Sequence, residues 1–175
     1  MNKKIILAAL LPLALGAHYT HAQFTMPTAG SREITIGGSG SADNSLDDSG
    51  GGISLSYGKY TSDRVMWSLR QTINYSNPEG DSTSWNGSTR IAADYHFGDN
   101  RLRPLLGANV GYIYGDGVND TWAAGLEGGL KYYVNDTTFV YGLLEYAWLF
   151  DDTDDVDDTF DDGRYLWSVG VGFNF

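Results

Sequence analysis

Chemistry in this chain has to come from oxygen and very few imidazoles, because its 175 residues include no Cys and only three His. Without Cys there is neither a disulfide framework nor a thiolate metal site. His18 and His21 fall in an N-terminal segment set apart below, which leaves His96. A nucleophilic hydroxyl needs a base beside it. His96 is followed by Phe97 and Gly98, so no Ser or Thr stands at close spacing. His96 therefore reads as an inward hydrogen-bonding side chain. No catalytic residue is assigned, and the protein is not expected to be an enzyme.

Carboxylates are the abundant reactive group. Asp and Glu number 22 against 11 Lys and Arg, a net charge of −11. Replacing phosphate counterions takes surplus positive charge, so nucleic acid is not an expected partner. Eight of the acids crowd into residues 151–162, and Asp151, Asp152, Asp154, Asp155, Asp157 and Asp158 are spaced DDxDDxDD. Eight like charges in so short a run repel and favour an extended, solvated loop, which is the preferred reading. The alternative is weak binding of Ca²⁺ or Mg²⁺, whose hard-cation chemistry suits carboxylate oxygen. The run lacks the Gly and terminal Glu of a known calcium loop, so no firm metal and no cofactor are expected.

A second set of charges is spaced quite differently. Glu33, Arg70, Arg90, Asp94, Glu127, Lys131 and Glu145 stand singly on the polar side of segments that alternate with period two. In 65–75, for example, Val65, Trp67, Leu69, Ile73 and Tyr75 share a face with Gln71, and Met66, Ser68, Arg70, Thr72 and Asn74 occupy the other. Period two is the signature of a strand with unlike faces. Eight such runs follow one another. The first shows the pattern only over 33–37, and the seventh is weakest, because Phe139, Tyr141 and Leu143 lie opposite its apolar face.

Length decides what the alternation means. Most runs approach ten or more residues, whereas strands of soluble proteins average about 5–6. About 9–11 tilted residues cross a bilayer. Scattered charges on the polar face have no place in a sandwich core but suit a barrel interior. The expected fold is all-β, an eight-stranded antiparallel up-and-down transmembrane β-barrel. Its connections alternate short (61–63, 98–102, 135–136) and long (41–51, 77–83, 116–120, 151–164). Short turns face the periplasm in bacterial outer-membrane barrels, so both mature termini are expected there. Eight strands enclose space that side chains fill. The seven single charges are then expected to pair within a plugged polar lumen.

Residues 1–22 read as a secretory signal peptide, with Lys3 and Lys4 before a 13-residue apolar stretch and Thr20-His21-Ala22 before the cleavage point. The barrel domain is assigned to 23–175. Its net charge is −13, with 9 bases and 22 acids, and 15 of those acids fall in the four long connections. Trp and Tyr prefer the membrane–water interface. They cluster at both ends of the runs: Tyr75, Trp85, Tyr114, Trp122, Trp148, Tyr165 and Trp167 near the long connections, Tyr57, Trp67, Tyr95 and Tyr132 near the short ones.

The final run carries Tyr165, Trp167, Val169, Val171, Phe173 and Phe175 at alternate positions and ends in Phe. It resembles the terminal strand of bacterial outer-membrane proteins, and the mature chain resembles the small eight-stranded barrels of the OmpX and OmpA transmembrane-domain types. That resemblance implies recognition of the six residues by the outer-membrane assembly machinery. It also implies residence in the outer membrane of a Gram-negative cell, in contact with lipid and lipopolysaccharide, as a monomer. The expected role is structural or surface-interacting. One alternative is a narrow porin-like pore for ions or small solutes. Another is a lipid-modifying enzyme, but barrel deacylases use a His-x-Ser pair, and His96-Phe97-Gly98 departs from it.

Overall fold

The computed structural model describes residues 25–42, 49–76, 84–115, 120–150 and 163–175. Residues 1–22, the expected signal peptide, and nearly all of the acidic connections, including 151–162, lie outside them. Eight strands are present: β1 (Arg32–Ala42), β2 (Ser49–Tyr60), β3 (Val65–Ser76), β4 (Ser84–His96), β5 (Leu102–Gly115), β6 (Thr121–Tyr133), β7 (Thr138–Phe150) and β8 (Arg164–Asn174). Each pairs antiparallel with its sequence neighbour, and β1 closes on β8. Closure leaves no row of unpaired backbone groups, which a lipid environment requires.

The strands run further than alternation alone indicates. β1 continues from the expected 33–37 through Gly38, Ser39 and Gly40, which carry no apolar face. The ladder holds them, since Gly38 pairs with both Ile53 and Val169, and Gly40 with Gly51 and Trp167. Cross-strand partners here override weak local propensity.

The outward face is apolar. Ile36, Ile53, Leu69, Ile91, Leu106 and Leu126 are all more than half exposed. Trp85, Trp122, Phe150 and Trp167 flank this band toward the long connections, and Tyr57, Trp67, Tyr95 and Tyr132 toward the short ones. The side chain of Tyr75 lies outside the described residues. Gln71 and Thr89 are polar residues paired within this band, and the polar atoms of Gln71 are satisfied there. Its Nε2 donates to the Tyr114 hydroxyl at 2.8 Å, and its Oε1 accepts from Thr89 at 2.7 Å. A polar group facing hydrocarbon is tolerated when so paired.

Short turns tie one end together. In the β2–β3 turn, Thr61 N donates to Val65 O at 2.9 Å. Asn135 Oδ1 accepts from the backbone of Thr137 and Thr138 in the β6–β7 turn. Gly98 takes φ +74° between β4 and β5, a conformation that Gly adopts without steric cost. The chain's last residue is tied into the same end: Arg32 and Phe175 exchange backbone hydrogen bonds of 2.8 and 2.9 Å.

Candidate functional site

Alternation sends one side chain in two to the interior, and the interior is where the single charges meet. Glu33, Arg90, Asp94, Glu127, Lys131 and Glu145 are buried, and Arg70 is nearly so. The ladder places Arg70 directly opposite Arg90, and Glu127 directly opposite Glu145. Like charges facing each other on neighbouring strands repel. The barrel resolves both conflicts by pairing across its lumen. Arg70 of β3 grips Glu127 of β6 with two guanidinium nitrogens, at 3.0 and 3.1 Å. Arg90 of β4 pairs with Glu145 of β7. Asn109 links the two pairs, accepting from Arg90 at 3.1 Å and donating to Glu127 at 2.7 Å. Five strands, β3 to β7, are thus cross-braced through one layer of charge-assisted hydrogen bonds, the strong kind.

A second layer lies nearer the short turns. Lys131 donates to both oxygens of Glu33 at 2.7 and 2.8 Å, and the Tyr60 hydroxyl donates to Glu33 at 3.2 Å. The ammonium also sits 5.0 Å from the centre of the Phe139 ring, within cation–π range. Asp94 is buried within electrostatic reach of Glu127, Arg70 and Lys131, and its Oδ1 has no hydrogen-bond partner among the described residues.

Below this layer the lumen is closed by side chains. Tyr60, His96, Arg103, Tyr133 and Phe139 all have 0% exposure. Tyr60 packs 5.3 Å from His96, Tyr133 packs 5.1 Å from Phe139, and Arg103 lies over the Tyr60 ring. Arg103 Nη2 donates to the Asp63 carbonyl at 3.0 Å, and Asn174 donates to the Tyr133 hydroxyl at 2.7 Å. His96 therefore faces the lumen inside this plug. Neither of its ring nitrogens has a partner among the described residues.

Most of the plug lies outside the alternating runs. Arg103 is fully buried and joins the seven expected charges, making four bases and four acids, with Arg164 a further inward base in the cavity toward the long connections. Extending the parity of β5 by two residues past Leu105 would have found Arg103. Phe139, Tyr141 and Leu143, which blurred the seventh run, fill the lumen. An added Cβ on Gly172 would strike the Phe139 ring, one on Gly37 the Tyr141 hydroxyl, and one on Gly129 the Leu143 side chain. Large inward residues on β7 thus lie over glycines of other strands, and only the assembled register shows that match.

Two cavities lie among the described residues. One, of about 760 Å³ including its open mouth, lies toward the long connections, and Arg70, Arg90, Glu145 and Arg164 are among its lining residues. The other, about 380 Å³, lies among Glu33, Met66, Asp94, Lys131 and Tyr141. Arg70, Ser54 and Leu143 line both, so the first ion-pair layer separates them. The six alternate residues of the terminal strand, Tyr165, Trp167, Val169, Val171, Phe173 and Phe175, all point outward. Of the acids in the long connections only Asp120 is described, and its Oδ1 accepts from Gly115 N at 3.4 Å; the candidate cation ligands of 151–158 lie outside the described residues.

Known proteins share this architecture. The sequence pattern of the outer membrane protein beta-barrel domain matches residues 5–175. The chain is similar in structure to the N-terminal β-barrel domain of Pseudomonas aeruginosa OprF, with 20% identity, a TM-score of 0.59, and 85% of this chain and 98% of that one covered. It is similar to Neisserial surface protein A at 16% identity and a TM-score of 0.62, with 85% and 98% covered. It is also similar to Ail, the attachment invasion locus protein of Yersinia pestis, at 20% identity and a TM-score of 0.54, with 85% and 100% covered. No curated protein sequence matches the chain significantly.

Proposed function

The chain belongs to the outer membrane protein β-barrel family, and we propose that within it this protein serves as a closed barrel with a structural and surface-interacting role. The observation that supports the reading is the lumen. Two layers of ion pairs cross it, and five side chains of 0% exposure close the short-turn end. Eight strands leave room for that packing, unlike the wide barrels that conduct. What such a barrel offers its surroundings is its outer face and its long connections. A surface protein and an attachment protein share this fold by their names, in keeping with that role.

In this reading residues 1–22 are the exported signal, and both ends of the mature chain lie in the periplasm. The aspartate-rich connections then face outward toward lipopolysaccharide, to which weakly held Ca²⁺ or Mg²⁺ would bridge them. No resident cofactor is needed. The barrel works as a monomer, and Tyr165, Trp167, Val169, Val171, Phe173 and Phe175 present it to the assembly machinery. No catalysis is assigned, because His96 faces the plug rather than a lipid-side hydroxyl.

A narrow pore is the second reading, favoured by the stacking of two cavities on either side of Arg70. It requires Tyr60 and Phe139 to leave their sites. Uptake of small solutes by vesicles containing the full chain tests the choice. A closed barrel predicts no uptake above that of protein-free vesicles, and size-dependent uptake would replace it with the pore.

A further inference from the structure

The cavity toward the long connections has an unbalanced wall. Three guanidiniums line it, Arg70, Arg90 and Arg164, with one carboxylate, Glu145. Counting Glu127, which grips Arg70 from behind, the local excess is one positive charge. Arg164 supplies it. It shares the inward parity of Leu166 and Ser168 on β8 and is half-buried, and its guanidinium forms no ion pair or hydrogen bond among the described residues. Around the guanidiniums stand short hydrogen-bonding side chains from five strands, including Ser39, Ser54, Ser88 and Ser168. Asn74 and Asn86 are joined at 3.0 Å. The cavity is open at one end and has room for a few water-sized groups.

A half-buried cation in a concave, polar wall favours an anion that accepts hydrogen bonds, and guanidinium matches the planar oxygen pair of a carboxylate or phosphate. We propose that this cavity binds a small, singly charged oxyanion, with Arg164 as the counter-charge and the serine hydroxyls as neutral donors. The connections at this end carry most of the chain's aspartates, which disfavours multiply charged anions through the field at the approach. The site is a dead end, since the Arg70–Glu127 layer floors it. Binding there needs no passage through the barrel, so it stands apart from the function proposed above.

The test is calorimetric titration of inorganic phosphate, mainly monoanionic in mildly acidic buffer, into the full chain in a maltoside detergent. Saturable one-to-one binding is expected. Arg164→Gln should weaken it about tenfold or more, by loss of a charge-assisted contact, without disturbing either buried ion-pair layer. Ser168→Leu, which fills space and changes no charge, should weaken it as well. Lys59→Gln, at the opposite end and on the outer face, should leave it unchanged. Repeating the titration in nanodiscs with and without anionic lipid identifies the source. Competition by the lipid means that a headgroup phosphate occupies the site, and its absence means a free solute. No saturable binding to wild type, or equal affinity in Arg164→Gln, overturns the proposal.

Discussion

Replacing Lys131 by Met tests whether the inner ion pairs are structural struts. Lys131 and Glu33 have side chains only 4% and 1% exposed, joined by two contacts of 2.7 and 2.8 Å. Met keeps most of the volume and the fit against Phe139, so the change isolates the charge. Glu33 would retain only the Tyr60 hydroxyl at 3.2 Å, leaving a carboxylate buried and unpaired. Breaking one side of a buried pair costs about 3–5 kcal/mol, a large share of the roughly 5–15 kcal/mol that folded domains possess. Adding Glu33→Gln removes the stranded charge and should restore most of the loss, because a neutral pair of similar volume is often no less stable than a buried ion pair. Equilibrium urea titrations of the barrel in lipid vesicles, followed by Trp fluorescence, measure both at constant slope. A single-variant loss under about 1 kcal/mol, the range of an exposed pair, would refute the reasoning. So would a double variant as unstable as the sum of its parts.

Three further outcomes follow from the same geometry. Arg64→Ala breaks the exposed Arg64–Asp99 bridge and should move the urea midpoint by no more than about 1 kcal/mol of stability. Gly172→Val puts a side chain where the Phe139 ring sits and should cost about 1–3 kcal/mol in that titration. Leu126→Arg, on the outward face at 58% exposure, should cost about 2–4 kcal/mol in vesicles if it lies near the bilayer midplane. Equal stability of wild type and Leu126→Arg would argue against burial of that face in lipid.

Much of the fold was legible because its period is local. Alternation in 65–75 or 165–175 assigns inside and outside to each residue with no knowledge of partners, and an even number of runs closes the barrel. The interior charges followed from the same parity. Their pairing did not. Arg70 and Glu127 are 57 residues apart, and their meeting depends on how far each strand slides past the next, which alternation leaves free. The like-charged neighbours Arg70–Arg90 and Glu127–Glu145 held a clue, since adjacent repulsion forces each to seek the far wall. The plug escaped because it sits at strand ends, where Tyr60, Arg103 and Tyr133 fall beyond the alternating runs. On β7, inward aromatics such as Phe139 seemed a defect of pattern until Gly172 appeared beneath them.

The central claim is that the lumen is shut by packed side chains at its short-turn end. Single-channel recording of the full chain in planar bilayers tests it most directly, with Tyr60→Ala/Phe139→Ala beside wild type. A plugged lumen gives a silent wild type and resolved openings once both rings are removed. Steady conductance steps in wild type, at the same amplitude in the double variant, would contradict it.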